Sequence, residues 1–291
     1  MNWYVPAGTQ ATAHGPLKIT PESAGWVYSG MNVIDLGLSP SVQVVLTGEE
    51  AVIVPLSAQD FEVSVDGVTY PMIGREGVFA AVADWLYAPV GSTITLTGSQ
   101  GEVAICTARA TEVFPVHYTP ASEVPVESRG AGLASRQVNN IATPDSFHGA
   151  HKINVCEVLT PGGNWSSWPP HRHDGVTDCP VTNEEIYYFR MGKGSSPHGD
   201  PAGEGLFHVY TVSGSVDETV TVKDGDAYLV PEGYHGPTVA PPEYPMYFLN
   251  VLAGPEEDRT MAFCDDPTHH WIRASWDDQD VDPRLPLTRA L

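Results

Sequence analysis

Short runs rich in Val, Ile, Tyr and Thr, each ended by Gly, Pro, Asp or Asn, dominate the pattern of hydrophobic and polar positions. They fall at residues 26–35 (WVYSGMNVID), 42–46, 51–55, 61–65, 93–96 and 102–108. A second set occupies 152–159, 185–190, 206–211, 219–222, 227–230 and 246–252. Such runs are strand-forming, and no stretch carries a sustained helical period. The pattern predicts an all-β protein.

Residues 115–130 (PVHYTPASEVPVESRG) hold three prolines and few large apolar side chains, which reads as a connection between two β units. The expected organisation is a first domain over 1–114, a linker over 115–135 and a second domain over 136–291. A faint repeat relates the halves: DWLYAPVGST (84–93) matches DGDAYLVPEGYH (224–235). Aligned on the proline, Pro89 meets Pro231, Gly91 meets Gly233, and Thr93 falls where His235 stands. The repeat suggests two related barrels, of which only the second holds a metal. The acidic tail from Glu256 onward carries Trp271 and Trp276, expected to pack on the body or on a neighbouring subunit.

With 291 residues, 42% of them hydrophobic, the chain is long enough for two cores. Its net charge of −22 argues against nucleic acid and membrane surfaces as partners. An anionic substrate would then need a local cation, a metal or one of the few arginines. The four cysteines, Cys106, Cys156, Cys179 and Cys264, show no C-x-x-C spacing and read as reduced thiols. No signal peptide or membrane-spanning run is visible. A cytoplasmic location is the expectation.

The chemistry concentrates in GGNWSSWPPHRHDGVTDCPVTNEEIYYFR (162–190). His171 and His173, two apart on a strand, share a face with Cα atoms about 6.5–7 Å apart. Glu185 opens the next strand, and GDAYLVPEGYH (225–235) delivers His235 from a Pro-x-Gly turn. Three imidazoles and a carboxylate suit Zn, Mn, Fe or Ni. Each piece alone is commonplace; their conjunction in this order points to a metal site. Parity places Tyr187 and Phe189 inward with Glu185, and turns Glu184, Ile186, Tyr188 and Arg190 outward. Arg172, between the two histidines, points away from the metal. His208 shares a face with Tyr210, inward or outward alike. His148 and His151 stand before a strand, at the barrel mouth or on the surface. His14, His117, His198, His269 and His270 read as solvated.

The order His-x-His, Glu, Pro-x-Gly, His resembles the two cupin motifs, with a longer loop before Glu185 and one residue fewer between Gly233 and His235. More specifically, CEVLTPGGNWSSWPPHRHD, NEEIYYFR, DETVTVKDGDAYLVPEGYHGP, YFLNVLAGP, DDPTHHWI and RGAGLASRQVNNI (129–141) resemble the 5-deoxy-glucuronate isomerases of inositol catabolism. The first half resembles that family more loosely, through DLGL, DWLYAPVGS and EVAICTA. The resemblance implies a bicupin and an aldose–ketose isomerase that turns 5-deoxy-glucuronate into 5-dehydro-2-deoxy-gluconate. It also implies a divalent metal, Zn2+ first, on His171, His173, Glu185 and His235.

Isomerisation needs a group that shuttles a proton, and Tyr187, His208 and Glu184 are the candidates, in that order. Arg136, in an amide-rich stretch, is the candidate for the substrate's carboxylate. The expected partner is a small sugar acid, and a homo-oligomer is the expected assembly. Alternatives left open are a 5-keto-4-deoxyuronate isomerase, a cupin dioxygenase and a non-catalytic sugar-acid-binding bicupin.

Overall fold

A computed structural model describes residues 3–176, 178–194, 203–230 and 232–290. The first part of the chain forms β1 (Tyr4–Val5), β2 (Leu17–Ile19), β3 (Ser29–Asp35), β4 (Ser41–Val45), β5 (Glu49–Pro55), β6 (Gln59–Val65), β7 (Val68–Gly74), β8 (Trp85–Ala88), β9 (Thr93–Thr97), β10 (Glu102–Arg109) and β11 (His117–Thr119). The second part forms β12 (Val126–Arg129), β13 (Arg136–Ala142), β14 (Asn154–Thr160), β15 (Trp165–Ser166), β16 (His171–Arg172), β17 (Glu184–Met191), β18 (Glu204–Tyr210), β19 (Asp217–Lys223), β20 (Ala227–Val230), β21 (Tyr234–Val239), β22 (Met246–Ala253) and β23 (Cys264–Asp265). A 3-10 helix, His270–Asp278, follows.

Each half closes two sheets around its own core. In the first, β11-β8-β5-β10-β3-β2 faces β4-β9-β6-β7. In the second, β1-β20-β17-β22-β14-β13-β12 faces β19-β18-β21-β16-β23, with β15 paired to β21. The central order β8-β5-β10-β3-β2 repeats as β20-β17-β22-β14-β13, so the faint sequence repeat is a repeat of topology. The expected boundaries shift in detail. β1 lies beside β20 in the second barrel. The expected linker also forms strands: β11 extends the first barrel at β8, and β12 extends the second at β13.

Alternation along the central strands feeds two cores at once. On β17, Phe189 points into the second barrel with Phe207 and Phe248, while Ile186 and Tyr188 join Val33, Val52 and Tyr247 in a layer shared with the first barrel. On β5, Ile53 faces the first barrel's interior and Val52 the shared layer. Ile186 and Tyr188, read as outward from parity, are thus buried between the barrels. This explains why these strands read as unbroken apolar runs. Burying a side chain of this size contributes about 1.5–3 kcal/mol, so the layer holds the halves together firmly. A fully buried charged pair crosses it: Arg75 of the first half bonds Glu157 on β14.

The thiol expectation needs correction. Cys179 and Cys264 form a disulfide that ties the loop after His173 to β23, whereas Cys106 and Cys156 are free and buried. Their separation of 85 residues hid the pairing, because spacing alone does not say which loops meet. With two of the four cysteines paired, the thiols do not mark a reducing compartment. The tail divides as well: Trp276 packs against Arg136 and Arg273, while Trp271 is exposed.

Candidate metal centre

Strand register brings the histidines together. β16 pairs antiparallel with β21, and His171 stands directly opposite His235, with ring centroids 4.3 Å apart. His173 follows on the same face, its carbonyl accepting the Asn183 N–H at 2.9 Å. Glu185 reaches in from β17 on the facing sheet. The turn before His235 needs Gly233, whose φ is +87° and whose added Cβ would stand 2.5 Å from the Tyr210 carbonyl oxygen. Pro231 and His198 lie outside the described residues.

The donor atoms converge. The Nε2 atoms of His173 and His235 lie 2.9 and 3.1 Å from Glu185 Oε2. His173, Glu185 and His235 are all buried, with ligand atoms within 4.8 Å of one another. His171 stands beside them, 6.3 Å from His173 between ring centroids. Its ring also meets Phe263 at 4.8 Å. His173 Nδ1 is 2.9 Å from the Asn183 carbonyl oxygen, which can only accept. In the neutral ring the proton therefore sits on Nδ1, and Nε2 presents a lone pair. His235 is fully buried; its Nδ1 has no hydrogen-bond partner among the described residues, and its Nε2 faces the Glu185 carboxylate. Imidazole lone pairs facing one carboxylate oxygen form a donor set that a divalent cation fits.

The electrostatics agree with that fit. Burial opposes the Glu185 carboxylate, but His235 and His173 reverse this and hold it far below the usual carboxylate range. Burial and the neighbouring His235 push His171 well below the ordinary imidazole value. Burial also lowers His235. For His173, Glu185 outweighs burial and raises it.

The site opens into a cavity of about 270 Å3, with His171, His173, Glu185, Tyr187, Arg136 and Asn250 among its lining residues. Tyr187 Oη lies 3.1 Å from Ser167 Oγ, which takes a 3.3 Å bond from Thr238 Oγ1. Burial, reinforced by Glu185, raises the Tyr187 phenol well above its ordinary value, so it stays protonated. Arg136 is buried against the Trp276 ring, 5.5 Å from guanidinium to centroid.

Two candidates for the proton shuttle lie elsewhere. β18 turns Phe207 and Val209 into the barrel, so alternation sends His208 to the outer face. There it bonds Asp217 Oδ1 at 2.9 Å and stacks on Tyr210. Glu184 also turns out of the barrel, and its carboxylate accepts the backbone N–H groups of Val27, Tyr28 and Ser29 at 2.7–2.8 Å. Arg172 points away from the cavity, over the Tyr234 ring at 5.0 Å. His148 and His151 line a different cavity, with Glu112 and Arg259. Sequence reasoning missed Ser167, Arg129 and Arg273, all of which line the same cavity as His171, His173 and Glu185. Arg129 opens RGAGLASRQVNNI, Ser167 lies within GGNWSSWPPHRHD and Arg273 directly follows DDPTHHWI, so each had a usable signal nearby.

The first barrel lacks the donors. Glu185 pairs with Val230 and Leu252 as Ala51 pairs with Ala88 and Thr107. His171 faces His235 as Val45 faces Thr93. Val45, Ala51 and Thr93 thus stand where the second barrel has His171, Glu185 and His235.

The sequence profile of the KduI/IolB family matches residues 3–272. The chain is 39% identical over 276 residues to a 5-deoxy-glucuronate isomerase of Geobacillus kaustophilus, covering 93% of this chain and 95% of that one. It is 35% identical over 261 residues to the 5-deoxy-glucuronate isomerase of Bacillus subtilis strain 168, covering 88% and 91%. The crystal structure of an IolB-like protein of Salmonella typhimurium LT2 superposes with a TM-score of 0.82 at 32% identity, over 94% of this chain and 99% of that one. A Lactobacillus farciminis oxalate decarboxylase shares the fold at 12% identity, with a TM-score of 0.58 over 83% of this chain and 81% of that one.

Proposed function

Because the chain belongs to the KduI/IolB family, we infer that this bicupin is an isomerase acting on 5-deoxy-glucuronate and yielding 5-dehydro-2-deoxy-gluconate. Relatives of that name match it over most of its length. The observation that carries a metal-dependent form of this reading is the buried convergence of His173, Glu185 and His235 beside His171. These four residues would hold a divalent cation, zinc first. When bound, it would supply Lewis acidity toward a carbonyl and the adjacent hydroxyl, the two oxygens that exchange roles in the reaction.

The chain's own groups line the rest of the cavity. Tyr187, protonated and in the cavity wall, donates from Oη toward a substrate oxygen and is resupplied through Ser167 Oγ. Arg136 takes the substrate's carboxylate. The apolar wall from Phe248 and Met261 limits the water that reaches the reacting carbons. No helix among the described residues is long and apolar enough to cross a membrane. A cytoplasmic homo-oligomer completes the proposal, and cell fractionation and gel filtration test those two parts.

The deciding experiment is metal removal by chelation, elemental analysis, and assay on 5-deoxy-glucuronate before and after adding zinc. Activity should vanish and return. Undiminished turnover by the metal-free protein would refute the metal's part. A protein with bound metal and no turnover of this uronate would refute the substrate.

A further inference from the structure

Three guanidiniums converge on one wall of the metal cavity: Arg129 from β12, Arg136 from β13 and Arg273 from the C-terminal 3-10 helix. They differ in how they are held. Arg129 spends Nε and Nη2 on the two oxygens of Glu127, at 3.2 and 2.9 Å. Arg273 spends Nε and Nη2 on Asp265 in the same two-pronged way. Arg136 has no acid of its own among the described residues, and its one hydrogen bond goes to the Ala134 carbonyl. Trp276 lies between two of them, 5.5 Å from Arg136 and 5.3 Å from Arg273.

That arrangement has a definite charge. Two of the three cations are matched by carboxylates, so the cluster carries one net positive charge, centred on the most buried guanidinium. Burial and the neighbouring Arg129 and Arg273 press Arg136 down to about 9. It remains a cation at neutral pH, held against repulsion that an incoming anion relieves. The Nη1 groups of Arg129 and Arg273 have no acceptor among the described residues, which leaves them free to bond a ligand beside Arg136. In a protein of net charge −22, such a cluster in an enclosed wall is a local reversal of the field.

We propose that Arg129, Arg136 and Arg273 together form the seat for the carboxylate of a sugar monocarboxylate, with Arg136 supplying the net charge and its two neighbours fixing the carboxylate's orientation. This rests on the uronate reading above and adds Arg129 and Arg273 as specificity-determining residues. The C-terminal helix thereby becomes part of the site, since only a closed tail places Arg273 against β12 and β13.

The test is calorimetric titration of the metal-loaded protein with D-gluconate, a monocarboxylate without a reactive carbonyl, and with neutral D-glucitol. Wild-type protein should bind gluconate. Arg129→Gln and Arg273→Gln should each weaken it about tenfold, and Arg136→Gln about a hundredfold, as lost charge-assisted hydrogen bonds would. Glucitol binding should be the same in all four proteins. Arg129→Lys and Arg273→Lys, which keep the charge, should recover part of the loss and cover the case in which a glutamine variant does not fold. No gluconate binding by the wild type, or unchanged binding by folded Arg129→Gln and Arg273→Gln, overturns the proposal. Arginine-dependent gluconate binding in a protein inactive on 5-deoxy-glucuronate upholds the seat and sinks only the isomerase substrate.

Discussion

Glu50 and Glu184 are counterparts that lock the two barrels to each other. They stand one residue before the equivalent positions Ala51 and Glu185. Each carboxylate crosses to the other half and accepts three consecutive backbone N–H groups where the chain enters the counterpart strands β3 and β14. Glu184 takes Val27, Tyr28 and Ser29; Glu50 takes His151, Lys152 and Ile153, at 2.5–2.9 Å. The strand registers make the two triplets equivalent, so the latch obeys the same pseudo-twofold relation as the sheets.

The latch predicts that Glu184→Ala destabilises without disabling the chemistry. Three amides lose their acceptor, which costs about 1–3 kcal/mol. Urea unfolding should show a lower midpoint while kcat of the folded protein stays at the wild-type value. Glu50→Ala should cost more, because Glu50 is fully buried and also takes the Tyr87 phenol at 2.7 Å. A collapse of kcat in a stable Glu184→Ala protein would return Glu184 to the list of proton shuttles.

Arg75 should tolerate no single truncation. Glu157 also accepts from Tyr247 Oη at 2.8 Å and Asn139 Nδ2 at 2.9 Å, and Arg75 bonds the Pro55 carbonyl at 2.9 Å. Arg75→Ala strands a buried carboxylate at a cost of about 3–5 kcal/mol. The double variant Arg75→Met, Glu157→Leu should regain much of that in chemical denaturation. Equal stability of the single and double variants would show that the charges do not act as a pair.

The disulfide should matter to stability through the loop that it closes. Cys179 and Cys264 are separated by 85 residues, a span for which a cross-link contributes about 2–4 kcal/mol. Dithiothreitol should lower the wild-type melting temperature and leave that of Cys264→Ser unchanged. A reductant-insensitive wild type would argue that the link is absent in solution.

Acid should remove a stabilising contact of the tail at Asp282. Its carboxylate is held below the ordinary range by Arg284, with further bonds from the Arg284 N–H and Asn164. A depressed acid stabilises fully above its unfolded value of about 4 and loses that contribution as pH falls further. The melting-temperature gap between wild type and Asp282→Asn should therefore be constant from about pH 5 upward and shrink below about pH 4. A gap that widened in acid would contradict the assigned sign.

From the sequence by itself came the strands, the two-barrel plan, and the proposal that His171, His173, Glu185 and His235 act together, because period-two alternation and the spacing of histidines are local properties that a linear reading captures. Parity alone turned Arg172 away from the metal and Tyr187 toward it. The tertiary structure decided what depends on which strands become neighbours. It sent His208 to a solvent face and gave Glu184 to the other barrel's backbone. It joined Cys179 to Cys264, it set Arg129 opposite Arg136 across the β12–β13 pair, and it brought Arg273 to both from the far end of the chain. Those outcomes depend on which strands and loops become neighbours, and long-range burial of apolar side chains, not local spacing, sets that.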